Sequence, residues 1–163
     1  MVGSVYCKFD GIDGESSASG FEGQCEIDSW SWGGHNGMSM DTGGRRTQGN
    51  ADIHPLTLSK ALDSASAELY KRVFGQEMIP KATLSITARY GNESLVYYEI
   101  ILENVYVGDY TISGMGGESG DASESFGLYF SKAEWTYTKR DPADGSEKGD
   151  ITGSFESSTG ALG

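Results

Sequence analysis

The sequence predicts a mainly β domain with a single helix, built from strongly curved sheets that fold over each other or close into a barrel. Three observations carry this reading. Apolar residues alternate with polar ones along most of the chain, which is the period of a half-buried strand. Three of the longer runs change phase midway, as a bulge does when its extra residue flips the faces. Glycine is abundant, 24 of 163 residues against 3 prolines, about twice the usual share of roughly 7% and suited to turns and bulges.

The first run places Val5, Cys7 and Phe9 on one face, and a Gly/Ser/Asp-rich loop follows to about Gly23. The run from Gln24 to Gly33 starts with Cys25 and Ile27 in odd phase and switches to Trp30 and Trp32 in even phase. Alternation puts the two tryptophans on one buried face and Ser31 on the other; the alternative seats both tryptophans at a subunit interface. Residues Gly34 to Asn50 hold seven glycines and asparagines around Met38, Met40, Arg45 and Arg46, with no periodicity. They read as a long irregular loop, either functional or without a partner.

A short strand is expected around Ile53 to Leu58. Leu62, Ala65, Leu69 and Val73 then form a helical stripe. Asp63, Ser64 or Ser66 can cap its start, and Gly75 can take the left-handed conformation that ends it. Ala82 to Tyr90 alternates cleanly, Gly91-Asn92 reads as a two-residue hairpin turn, and the return strand runs from Ser94 to about Ile112. Its phase switches between Leu102 and Val105. After a glycine loop, Phe126, Leu128 and Phe130 give way to Ala133, Trp135 and Tyr137, the third switch. Trp30, Trp32 and Trp135 are the expected core tryptophans. Residues 1–163 read as one domain, with 141–163 a polar tail carrying a candidate final strand through Ile151, Gly153 and Phe155.

Composition narrows the function. Twelve Lys and Arg against 24 Asp and Glu give a net charge of −12, a field that repels phosphate backbones and anionic lipid. Nucleic acid and membrane insertion are therefore not expected. Met1 to Asp10 lacks the basic start and apolar run of a signal peptide, so export would need another route from the cytoplasm. Cys7 and Cys25 sit in apolar phase, where a free cysteine is ordinarily a small buried hydrophobe, with a disulfide as the alternative.

Catalytic machinery is not legible. There is no G-x-S-x-G elbow, and His35 and His54 lie in a loop and before a proline. No Cys/His/carboxylate cluster has zinc spacing, and the Asp141-Pro142-Ala143-Asp144-Gly145 turn lacks the spacing of an EF-hand. Gly114-Met115-Gly116-Gly117 opens no helix and reads as a turn, not a dinucleotide fingerprint. We expect no catalytic residue, no metal and no cofactor.

The motifs resemble one family. Lys8 with Phe9-Asp10-Gly11-Ile12-Asp13-Gly14-Glu15-Ser16 looks like the "K-x-D-G-I-x-G-E-S" opening of the hemolysin-coregulated proteins, the inner-tube proteins of bacterial type VI secretion. Glu26-Ile27-Asp28-Ser29-Trp30-Ser31-Trp32-Gly33 resembles their "E-I-x-x-x-S-W-S-W-G" strand. Leu58-Ser59-Lys60 with Asp63 and Ser66 resembles their entry to a single helix, and Leu102-Glu103-Asn104-Val105 and Glu124-Ser125-Phe126 agree in order and spacing. The likeness runs from about Val5 to Tyr137; beyond it, Ile151 to Phe155 departs from the family's final G-W-D strand.

The resemblance implies a flattened barrel of two sheets with the helix on its side, a hexameric ring, and rings stacked into a tube. It also implies a contractile sheath, a spike at the tip and effector proteins in the lumen, and no catalysis. On that reading Ser31 lines the channel, while Met38, Met40, Arg45 and Arg46 form a ring-stacking loop. The protein would be secreted without a cleaved signal. Alternatives are the tube protein of a phage-tail-like contractile particle, a monomeric carbohydrate-binding β-sandwich, or an acidic glycosidase.

Overall fold

A computed structural model describes residues 3–40, 42–44, 46–118, 120–157 and 161–162, with the side chains of 46–50 and 161–162 outside the description. In chain order the strands are β1 (Val5–Phe9), β2 (Cys25–Ile27), β3 (Ser29–Ser31), β4 (Gly34–Met40), β5 (Arg46–Ile53) and β6 (Leu56–Ala61). The helix α1 (Ser64–Gly75) follows, then β7 (Ile79–Tyr90), β8 (Glu93–Gly114), β9 (Ala122–Tyr129), β10 (Lys132–Arg140), β11 (Glu147–Glu156) and β12 (Ala161–Leu162).

Every pairing is antiparallel. The larger sheet runs β12-β11-β10-β8-β7-β1-β2, and a second layer pairs β3 with β6, β6 with β9 and β9 with β8. One long strand serves both. The first part of β8 pairs with β7 and β10, and from Tyr106 onward it pairs with β9.

The three phase switches read from the sequence fall where the chain crosses between these layers. Asp28 turns the corner between β2 and β3, its backbone N–H donating to the Ser59 carbonyl (2.8 Å). Asn104 turns β8 with φ at +55°, so Leu102 before it and Val105 after it both face the core. Ser131 turns β9 into β10, and Asn104 Nδ2 donates to Ser131 Oγ (2.7 Å). Two crossings are thus tied side by side. Left-handed backbone tolerates asparagine far better than a branched residue.

Between the layers lie Leu56, Leu58, Leu84, Ile100, Leu102, Phe126 and Leu128, all essentially inaccessible. The helix closes this core with Ala65 and Leu69, and the Tyr110 ring stacks on Phe126 (5.7 Å) while its hydroxyl donates to the Ser66 carbonyl. Asp63 is the N-cap: its Oδ1 accepts the Ala65 N–H (2.9 Å), and Ser66 Oγ accepts the Asp63 N–H (2.9 Å). This reciprocal box holds two orphan donors at once.

Several expectations are corrected. Gly34 to Asn50 is not irregular: β4 and β5 form a hairpin that is a separate two-stranded sheet. The strand expected at Ile53 to Leu58 is two strands broken at His54-Pro55, because proline donates no backbone hydrogen bond. Leu62 precedes the cap and is exposed, since the helix cannot start before Asp63. Gln76, not Gly75, takes the left-handed conformation (φ +51°), and its N–H reaches the Arg72 and Val73 carbonyls. Finally, Trp30 is 37% exposed in the single chain and is not a core residue.

Candidate assembly surfaces

The most polar part of the interior is built by β6, α1 and β9. Lys60 continues the inward phase of Leu56 and Leu58, so its ammonium enters the core with no exposed surface. It pairs with Glu124, also fully buried, and with Asp63 Oδ1 at 2.7 Å. Ser66 Oγ bridges the pair, lying 3.3 Å from Lys60 Nζ and 3.0 Å from Glu124 Oε1. Burial alone would lower the lysine's pKa, but the hydrogen bonds and charges of Asp63 and Glu124 outweigh it and raise the pKa. A lysine held protonated is no nucleophile.

The cysteines are equally inert. Cys7 faces Cys25 across the β1–β2 ladder and both are free and buried. Burial, then the Asp63 carboxylate, pushes the Cys25 thiol up to about 12, and burial raises Cys7 as well. Thiol reactivity needs the thiolate. This cluster fastens the helix to the sheets.

Other candidates disperse. His35 lies on exposed β4, and His54 links β5 to β6, its carbonyl accepting the Trp32 indole N–H (3.0 Å). In the 141–145 turn the carboxylates are used locally: Asp141 Oδ1 accepts the Ala143 N–H and Asp144 Oδ1 the Ser146 N–H, each at 2.9 Å. Among the described residues no group of three or more His, Cys, Asp or Glu side chains could hold a metal ion.

What the molecule displays instead is surface. Ser31 pairs with Thr57 and both are exposed, on the face opposite Trp30 and its partner Leu58. Trp32 is half-buried and packs edge-on against Trp135 (5.5 Å) and Phe130 (5.9 Å). Trp135 lies across Gly153 of β11, where a Cβ would stand 2.5 Å from the indole nitrogen.

The inward face of the larger sheet continues past the second layer. Cross-strand partners share a face, so Tyr98, Tyr137 and Ile151 form one row across β8, β10 and β11. Tyr137 and Ile151 are 42% and 70% exposed. Trp30 stacks over Tyr98 at the row's inner end, with ring centroids 6.5 Å apart. At the far end β12 covers β11 only at Phe155 and Glu156.

The hairpin β4–β5 is the second exposed feature. Residues 34–40 are exposed except for Gly37, and among the described residues neither strand packs broadly on any other element. Met38 and Met40 are 49% and 69% exposed. Arg45 lies outside the described residues, as does the side chain of Arg46, whose backbone pairs with Met40 at the start of β5.

The family model for "Type VI secretion system effector, Hcp" matches residues 6–137. The chain belongs to the Hcp family. A solved type six secretion system protein superposes on it with a TM-score of 0.92 at 24% identity, covering 99% of this chain and 100% of that one. The Hcp1 protein of Salmonella typhimurium gives 0.76 at 24% identity, with 99% of each chain covered. A type VI secretion system effector from Yersinia pestis gives 0.70 at 18%, covering 93% and 98%. At these identities the structural likeness establishes the Hcp-like fold. No curated protein matches the chain. Among the described residues no helix is long and apolar enough to cross a membrane.

Proposed function

We propose that this Hcp protein is the structural subunit of a secretion tube: six copies close into a ring, and rings stack. The tube is expelled by a contractile sheath behind a spike and carries effector proteins in its lumen. The subunit accumulates in the cytoplasm before firing and leaves with the tube. The family match over 6–137 carries the reading. Two displayed surfaces, the apolar row and the projecting hairpin, support it, because a protein that works alone rarely leaves such features uncovered. A contact between two different surfaces of one chain closes into a ring when its rotation permits.

In this assembly Ser31 faces the lumen, where a small exposed hydroxyl leaves room for cargo, and the hairpin with Met38, Met40, Arg45 and Arg46 reaches the next ring. Sedimentation tests the ring: a species of about 100 kDa is expected, six times the 17.4 kDa chain. A monomer at tens of micromolar would overturn the proposal. Ser31→Gln should leave the ring intact and weaken effector binding; unfolding by that change would refute the assignment of its face.

A further inference from the structure

We infer that Cys7 and Cys25 are a disulfide site: under oxidising conditions they close on each other within one copy and fasten the edge strand β2 to β1. This goes beyond the tube reading, which supplies only the place, since a subunit expelled from the cell leaves the compartment that keeps thiols reduced.

The fold sets the pair up. The chain has 2 cysteines in 163 residues, and the β1–β2 ladder makes them direct cross-strand partners. Directly opposed residues of an antiparallel pair stand about 4.5–5.5 Å apart at Cα and turn their side chains to the same face. A disulfide spans Cα atoms about 4.4–6.8 Å apart, so both strands can stay where they are. Both cysteines are 1% exposed and belong to the same buried cluster as Phe9, Ile12, Ile27 and Leu84. A neutral S–S bond suits that environment better than a thiolate does. No third cysteine competes for either partner, and burial keeps both thiols from reaching another copy.

Opening of the edge decides when the bond forms. Closed, the pair offers no thiolate, because burial holds both thiols protonated. Among the described residues β2 is three residues long, ends the larger sheet and pairs within it with β1 alone. Cys25 is thus the thiol that an edge opening exposes, while Cys7 is held between β2 and β7. The oxidant is an external disulfide such as oxidised glutathione. The Cys25 thiolate, its proton given to water, attacks one of its sulfurs and releases one glutathione thiolate. As β2 returns, Cys7 loses its proton and attacks the Cys25 sulfur of the mixed disulfide, releasing the second. Two protein thiols are oxidised, and the external disulfide is reduced to two thiols that take up the two protons.

The bond closes residues 8–24 into a loop that already returns on itself. Gly14 donates its N–H to the Gly23 carbonyl (2.8 Å) and Ser16 to the Gln24 carbonyl (3.0 Å). A cross-link around a loop of about 15 residues lowers the unfolding constant roughly a hundredfold. By the same cycle, folding favours the disulfide over the dithiol by that factor.

The test is glutathione equilibration of the full chain, folded and in urea, approached from the reduced and from the oxidised form and quenched in acid. At one glutathione composition the ratio of disulfide to dithiol should be about a hundredfold higher in the folded chain. The product should have a mass lower by two hydrogens and carry no glutathione. The oxidised chain should also keep its circular dichroism spectrum and unfold at a higher urea concentration than the reduced one. A ratio no higher in the folded chain than in urea would overturn the inference, and so would a folded product that is mainly the glutathione adduct or a covalent dimer. Sedimentation of the unaltered chain decides the ring separately, so the two readings fail by different results.

Discussion

Lys60 shows how a charge survives in an apolar interior. Both carboxylates and the Ser66 hydroxyl surround the ammonium, so removing it strands two charges instead of deleting one. Lys60→Met should therefore cost about 3–5 kcal/mol, the usual penalty for breaking a buried pair. Adding Glu124→Leu should recover much of that, as read by urea midpoints at one fixed protein concentration. The pH dependence has a definite sign. The folded-state pKa lies above the ordinary 10.5, so the ammonium's contribution is complete below that value and disappears as pH rises through the higher folded one. The difference in midpoint between the unaltered chain and Lys60→Met should shrink as pH rises above about 10. A gap that does not shrink there would contradict the assignment. This network was within reach of the sequence. Lys60 stands in phase with Leu56 and Leu58, a position where a lysine must find a partner. Glu124 likewise stands in phase with Phe126 and Leu128, and what only the fold supplies is the β6–β9 register that sets it opposite Lys60.

At the scale of elements, the corners were legible and the hairpin was not. A phase switch registers whenever a strand keeps one face in the core while it crosses layers, which is why Asp28, Asn104 and Ser131 left a trace. The hairpin left none, since alternation arises only where a face is buried and β4 is exposed almost throughout. Its glycines then read as a loop. The end of the helix was misplaced by one residue for a related reason: glycine is the commonest left-handed cap, but Gln76 adopts it here with two carbonyls reaching its N–H. The Asn104 corner offers a graded test. Asn104→Val forces a branched residue to φ +55° and removes the bond to Ser131, for an expected loss of about 1–3 kcal/mol. Asn104→Gly keeps the backbone at ease and loses only the bond, so its urea midpoint should lie between the two. Equal losses for valine and glycine would show that conformation is not what the corner requires.

For the whole molecule, the proposed assembly rests on small energies repeated. An exposed ion pair contributes only about 0–1 kcal/mol, yet a junction between two rings would use it six times over. Beside Lys71-Arg72 and Lys139-Arg140, Arg45 and Arg46 are one of three adjacent basic pairs on a chain of net −12. Replacing both by Glu should leave hexamers intact by sedimentation, abolish tubes in electron micrographs and stop secretion from cells. Secretion at the ordinary level by that double variant would remove these charges from the mechanism. The family's identity was the most legible property of all, because its motifs are local. The exposed apolar row was the least, since Tyr98, Tyr137 and Ile151 come together only through the sheet register and Trp30 joins them from the second layer.

The place of β1 in the larger sheet has a consequence for the growing chain on the ribosome. Val5 is partnered by Ile27 on one side and by Ile86 on the other. The first partner emerges soon after it, the second roughly 80 residues later. At ~5–20 residues per second that is a delay on the order of ten seconds. Through that interval the apolar face of Cys7 and Phe9 has no roof and the strand keeps one edge unpaired, the state most prone to aggregate. The speed of elongation between codons 28 and 90 thus sets the length of the exposure.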